Sequence, residues 1–197
     1  MTNRNEQHNR ISGSRRRAIS GPLAVSAMLF SAATALWSQD TPTYSYSVLY
    51  TFGGPPDGDL PDGGLVRDKE GNLYGTTLGG GEHGDGTVYA ANESANGERV
   101  IHSFSCCSSS VDGRYPLSHL SVLSGTLYGT THLGGAKNLG AVFSVTPSGR
   151  ERVLYSFLGK PDGEEPQAGL TMLNGFFYGT TSAGGVFSEG SIFKLSP

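Results

Sequence analysis

Tryptophan is almost absent from the 197 residues, its one copy being Trp37 in an apolar N-terminal run. Downstream of that run the best stacking side chain for sugars is therefore missing, which counts against a lectin. Charge is scarce as well: Asp, Glu, Lys and Arg make up 16% of the chain against a usual share of ~25%, which excludes a coiled coil or long charged helix. Only two cysteines occur, the adjacent Cys106 and Cys107, too few for a disulfide scaffold. The longest apolar run, Pro22 to Trp37, has sixteen residues diluted by Ser26, Ser31 and Thr34, short of the ~20 that a membrane-spanning helix needs. No G-x-S-x-G elbow, P-loop, dinucleotide fingerprint or HExxH pair occurs, so no cofactor is expected and no reaction is named by a motif.

What is plentiful is glycine. Gly contributes 30 residues and Pro 10, together roughly 20%, below the ~25–30% of a low-complexity chain and without the Gly-X-Y period of collagen. Residues 1–38 read as a signal peptide. Arg4, Arg10, Arg15, Arg16 and Arg17 stand against one acid, Glu6, and precede the apolar run, with small residues Ala33 and Ala35 framing a cleavage signal. The string Ser14 to Ser20, SRRRAIS, resembles a twin-arginine signal, an ordinary secretory signal being the default. Removing five arginines and one glutamate with this leader leaves 9 basic and 16 acidic residues, a net charge of −7. Nine scattered cations make no stripe for a phosphate backbone or an anionic membrane, so neither nucleic acid nor a membrane surface is an expected partner. The reading predicts export to the periplasm, cell surface or medium of a bacterium, with no membrane span after cleavage.

The rest is three copies of one unit. LYTF (49–52), IHSF (101–104) and LYSF (154–157) recur, as do LYGTT (73–77), LYGTT (127–131) and FYGTT (177–181), and GTVYAA, GAVFSV and GSIFKL from Gly86, Gly140 and Gly190. The units span about 47–100, 101–153 and 154–197, within one β-repeat domain at 39–197. Four β-prone runs alternate with Gly-rich turns in each unit. They are run a (63–68, 118–123, 168–173), run b (the YGTT strings), run c (from Gly86, Gly140 and Gly190) and run d (97–104, 150–157). The third unit ends without a run d, whereas Tyr46 to Phe52 is a spare one. Twelve strands result, enough for three four-stranded sheets, with the first strand completing the last sheet as in propeller closure. The predicted fold is all-β, a propeller-like array of three four-stranded blades, with a β-trefoil or β-prism as the alternative.

The pattern Gly-Leu, Gly-Asn-Leu-Tyr-Gly-Thr-Thr, Gly-Gly-Gly, Gly-Thr-Val, Leu-Tyr-Ser-Phe and Asp-Gly resembles the GloVer tandem repeat of exported bacterial choice-of-anchor proteins. The resemblance runs from about residue 47 to 197. It implies propeller-like repeats on secreted or surface-attached proteins and carries over no catalytic residues. Because propellers usually have about 4–8 blades, two chains are expected to combine as a homodimer with six blades, each N-terminal run completing the partner's third sheet.

Few side chains offer chemistry. Tyr74, Thr76, Tyr128, Thr130, Tyr178 and Thr180 are repeat-equivalent and could form multivalent glycan or surface-ligand sites, although a strand core repeats in the same way. Asp57, Asp112 and Asp162 each precede Gly with Pro close behind, which is turn chemistry. Asp59 and Asp62 add part of a calcium loop in the first unit only, without the bidentate acid. His83, His102, His119 and His132 hold non-equivalent positions and match no zinc spacing, so no metal site is expected. Cys106 and Cys107 are the candidate disulfide cysteines, open to a strained vicinal bond, to bridges with a partner chain, or to two free thiols. The functional reading is an exported, non-enzymatic repeat protein with a binding or cell-surface structural role. A carbohydrate-binding module comes second and a hydrolase on a propeller scaffold third.

Overall fold

Residues 43–92, 97–105 and 111–196 are described by the computed structural model; the leader at 1–38 and Cys106 and Cys107 lie outside them. The described residues hold strands and turns but no helix, hence none long and apolar enough to cross a membrane. The first unit contains β1 (Gly58–Asp59), β2 (Val66–Arg67), β3 (Leu73–Thr77), β4 (Gly79–Gly80), β5 (Thr87–Asn92) and β6 (Gly97–Ser103). The second repeats them as β7 (Gly113–Arg114), β8 (Ser121–Leu123), β9 (Thr126–Thr131), β10 (Leu133–Gly134), β11 (Ala141–Val145) and β12 (Glu151–Ser156). The third has β13 (Gly163–Glu164), β14 (Thr171–Leu173), β15 (Phe176–Thr181), β16 (Ala183–Gly184) and β17 (Ser191–Leu195).

Runs a to d form one antiparallel meander per unit, ordered β2-β3-β5-β6 and β8-β9-β11-β12. A two-strand clip, β1 with β4, β7 with β10 and β13 with β16, ties each Asp-Gly turn to the glycine pair after YGTT. Among the described residues each meander pairs only runs that follow one another in the chain, whereas a β-trefoil pairs strands of different units in one barrel. Propeller-like blades are therefore the architecture. The repeat boundaries at 100/101 and 153/154 fall inside β6 and β12, because run d completes its own sheet before its last residues serve the next one.

The glycine of YGTT has a steric reason. Gly129 lies opposite Phe143 across the ladder, and a Cβ on it would come within 3.0 Å of the Phe143 ring and of Leu120. Gly75 carries the ring of Tyr89 and Gly179 that of Phe193 in the same way, so an aromatic ring on run c fills the space that the glycine leaves. At the outer edge, β-bulges between Val88 and Tyr89 and between Val142 and Phe143 bend run d. Beyond the bulge Phe104 meets Phe143 edge-on at 5.0 Å, and Phe157 meets Phe193 at 5.2 Å. The core thus lies in the seams: one cluster joins Tyr74, Val88 and Phe104 with Leu120, Leu127 and Phe143, and a second joins Val142 and Phe157 with Leu170 and Phe177.

The expected closure within one chain does not occur. Among the described residues the third sheet has three strands, β14-β15-β17, and Tyr46 to Phe52 forms no strand. Phe52 instead packs on Tyr89 of the first sheet, ring centroids 5.0 Å apart, as Phe104 packs on Phe143. The physical reason is that the tail of a run d belongs to the sheet that follows it in the chain, and for Phe52 that is the first sheet.

Candidate functional site

The polar counterpart of each aromatic seam is a contact between run d and the next Asp-Gly turn. Two residues before the seam phenylalanine stands Tyr50, His102 or Tyr155. The Tyr50 hydroxyl donates to Asp57 Oδ2 and the Tyr155 hydroxyl to Asp162 Oδ2, both at 2.8 Å. His102 Nε2 lies 3.2 Å from Asp112 Oδ2. Each aspartate also organises its own turn. Asp57 accepts from the backbone N–H of Gly53 and Gly58, Asp112 from Ser105 and Gly113, and Asp162 from Leu158. This is the geometry that Asp-Gly turn chemistry calls for.

A glutamate faces two of these contacts from the following run d: Glu98 in β6 beside Asp57, and Glu151 in β12 beside Asp112. Burial, then the Asp57 carboxylate, pushes the Glu98 carboxyl up to about 7. Burial, then Asp112, lifts Glu151 to about 7, with His102 pulling the other way. Burial also raises Asp57, but hydrogen bonds from Gly53, Tyr50 and Gly58 outweigh it and leave that carboxyl below its ordinary value. The hydrogen bond to Asp57 raises the Tyr50 hydroxyl, and the bond to Asp162 raises Tyr155. Glu98 Oε1 and Glu151 Oε1 are buried without a hydrogen-bond partner. Neither glutamate stands out in the sequence, because Glu-Arg-Val reads as an ordinary polar entry to a strand. The substitution of His102 for tyrosine at one of three equivalent positions was the only mark.

The six repeat-equivalent candidates divide sharply. Tyr74, Thr76 and Thr130 are 3%, 0% and 1% exposed, and they hold the seams. Thr76 donates to the Ser118 carbonyl and Thr130 to the Ala168 carbonyl, each at 3.0 Å, so each threonine is bonded to the next unit. The Tyr74 hydroxyl donates to Asp68 of its own sheet. Tyr128 is half-buried against Phe177, Tyr178 is half-buried near Lys194, and Thr180 is exposed. Three equal ligand sites would need equal access, which these positions do not have.

The resulting molecule is a set of serially packed blades joined by an aromatic contact and a Tyr/His–Asp contact at each seam. No curated protein matches it in sequence. Among solved structures it is similar to a chain in the crystal structure of a nidogen/laminin complex, with a TM-score of 0.46 and 18% identity. That alignment covers 77% of this chain and 51% of the other, so this chain spans about half its length. The recurrent YGTT and Asp-Gly positions have a direct sequence counterpart: residues 25–197 match the Gloeobacter/Verrucomicrobia repeat, and the chain belongs to that family.

Proposed function

We propose that this protein is an exported, non-enzymatic repeat module that works by binding, and that one partner is a second copy of itself. The observation that carries the reading is the contrast at one repeat position. Val88 and Val142 on run c are 0% exposed, whereas their equivalent Ile192 on β17 is 82% exposed. In the first two sheets run c pairs with run d, as in Val88 with His102 and Val142 with Tyr155. Among the described residues the outer edge of β17 pairs with nothing, and an open edge is a template for another strand.

The other end of the array supplies a matching part. Tyr46 to Phe52 has the sequence of a run d, and Tyr46, Val48 and Leu49 are exposed. Its C-terminal half already makes the seam contacts, Tyr50 to Asp57 and Phe52 to Tyr89. Docking the free half on β17 of a second copy continues the array across the contact, and two such contacts close six sheets. The interface is head-to-tail, so its rotation decides between a closed ring and an open filament.

The test is the absolute mass of the purified chain by light scattering, under oxidising and reducing conditions, for the native protein and Ile192→Lys. A native dimer that becomes a monomer on Ile192→Lys supports the six-sheet ring, and sensitivity to reductant assigns Cys106 and Cys107 to a bridge. Growth without limit replaces the ring by a filament. A native monomer at about 100 μM, far above the concentration at which a standard-size interface forms, overturns self-association.

A further inference from the structure

The second seam carries a histidine where the other two carry a tyrosine, and the difference changes its chemistry. His102 from β6, Asp112 just before β7 and Glu151 at the start of β12 bring one ligand atom each to within 4.8 Å of one another. They are ten and 39 residues apart in sequence, and only the register of two neighbouring sheets brings them together. His102 Nε2 and Asp112 Oδ2 are 3.2 Å apart, with side chains 17% and 11% exposed. Tetrahedral zinc with bonds of ~2.0–2.2 Å places its ligand atoms roughly 3.3–3.5 Å apart, so this pair is already close to that spacing.

The supporting contacts are those of an oriented ligand set. The His102 ring stands edge-on to Phe104 at 4.7 Å and 88°. Backbone N–H groups of Ser105 and Gly113 hold the two oxygens of Asp112, the kind of outer contact that fixes a coordinating carboxylate. Glu151 Oε1 is buried and has no hydrogen-bond partner. Two carboxylates side by side repel, and a dication between them and the imidazole offsets both charges. At the first seam the corresponding residues are Tyr50, Asp57 and Glu98, and the phenol closes the site by donating to Asp57. The third seam has Tyr155 and Asp162, closed in the same way.

We propose that His102, Asp112 and Glu151 form a binding site for a divalent first-row transition cation, of which Zn²⁺ is the probe of choice. One imidazole and two carboxylates suit zinc better than calcium or magnesium, which take oxygen ligands alone. Three protein ligands leave a position for water or a ligand atom from a partner. The site ties β6 of the first sheet to β12 of the second, and it does not depend on self-association.

Zn²⁺ binding is measured by competition with a chromogenic chelator on the untagged full chain carrying Cys106→Ser and Cys107→Ser, so that thiol-bound zinc is not counted. The native triad binds one equivalent, and zinc raises the melting temperature. His102→Tyr restores the residue of the sister seams and keeps the fold, and it weakens that equivalent at least tenfold, as does the isosteric Glu151→Gln. Glu98→Gln, the same change at the first seam, leaves binding unaltered and serves as the control. Absence of binding at about 100 μM free Zn²⁺, where even a weak specific site would stabilise the fold, overturns the assignment. So does equal binding by the native triad, His102→Tyr and Glu151→Gln.

Discussion

Replacing the first threonine of each YGTT string with valine removes one hydroxyl at nearly constant shape, and the three sites should respond unequally. Thr130 Oγ1 donates to the Ala168 carbonyl and contacts Ser118 Oγ, both at 3.0 Å, inside a seam. Thr130→Val therefore strands the buried Ser118 hydroxyl and removes a donor from the carbonyl of Ala168, an exposed residue. Each buried polar atom left without its partner costs about 1–3 kcal/mol, so about 2 kcal/mol is expected at Thr130. Thr76 loses one bond, to Ser118 O, and about 1 kcal/mol is expected there. Thr180 is exposed, and an exposed substitution away from special features stays within about 0.5 kcal/mol.

Urea unfolding of the three variants provides the assay, with thermal unfolding as the second probe. In a domain of this size 1 kcal/mol moves the melting temperature by about 2–4 °C, so Thr130→Val should melt about 4–8 °C lower and Thr180→Val within about 2 °C of the native chain. The order Thr130, Thr76, Thr180 is the critical result. Equal costs at all three positions, or none at Thr130, would refute the assignment of these hydroxyls to the seams. Loss of glycan binding by all three variants with unchanged stability would revive the multivalent-site reading.

Further consequences can be checked in the same system. Thr131 Oγ1 is buried without a partner, whereas its equivalents Thr77 and Thr181 share hydrogen bonds with Thr87 and Ser191 at the position that Ala141 occupies. Ala141→Ser should therefore raise stability by about 0.5–1.5 kcal/mol in urea unfolding. Gly129→Ala pushes a methyl into the Phe143 ring and should cost about 1–3 kcal/mol. With chelator present, stability should fall as pH rises from about 4.5 towards 7. Glu98 and Glu151, raised to about 7 in the fold, hold protons there that the unfolded chain releases earlier. Their contribution is complete below the unfolded value and lost as pH passes the folded one. Both glutamates are partly solvated, so screening leaves about 1 kcal/mol each, and Glu98→Gln with Glu151→Gln should flatten that slope. Asp57 and Asp68, lowered in the fold, act in the opposite sense: their contribution is present above about 3.8 and lost in stronger acid.

Much of the fold was legible because strand pairing within a unit is local. Gly-bounded runs, one aromatic per strand and a fixed order of markers suffice to define a meander, and the runs around YGTT became β3, β9 and β15. What stayed hidden depends on the contact between units. Nothing in Leu-Tyr-Gly-Thr-Thr says that Thr76 and Thr130 face a neighbour's carbonyl while Thr180 faces water. The difference lies in the packing partner: among the described residues Thr76 and Thr130 have a neighbouring unit's carbonyl beside them and Thr180 has none. Tyr46 to Phe52 misled for the same reason: its β-prone sequence matches run d, but a strand forms only where a partner edge lies beside it. His102 matches no zinc spacing along the chain and nothing in the sequence singles out Glu151, since ligand spacing along the chain is the usual mark of a site and here the side chains meet across a seam.

A repeat array separates its architecture from its chemistry. Positions that agree in all three units, the glycine under an aromatic ring and the aspartate of each turn, answer to a geometric demand that every sheet makes of the next. A binding property belonging to one seam must then come from a position where the units disagree. The informative disagreements are few: His102 against two tyrosines, Ala141 against Thr87 and Ser191, and an exposed Ile192 against two buried valines. The alanine lowers stability without adding a donor or acceptor. The other two change what the molecule can hold, the isoleucine by opening an apolar edge and the histidine by placing an imidazole where a phenol would close the site. If both readings hold, addition of the docking strand at β17 creates a seam with Tyr50 and Asp57 of the incoming copy, a tyrosine seam, so a dimer should bind two zinc ions, one in each chain, and none at the new contacts.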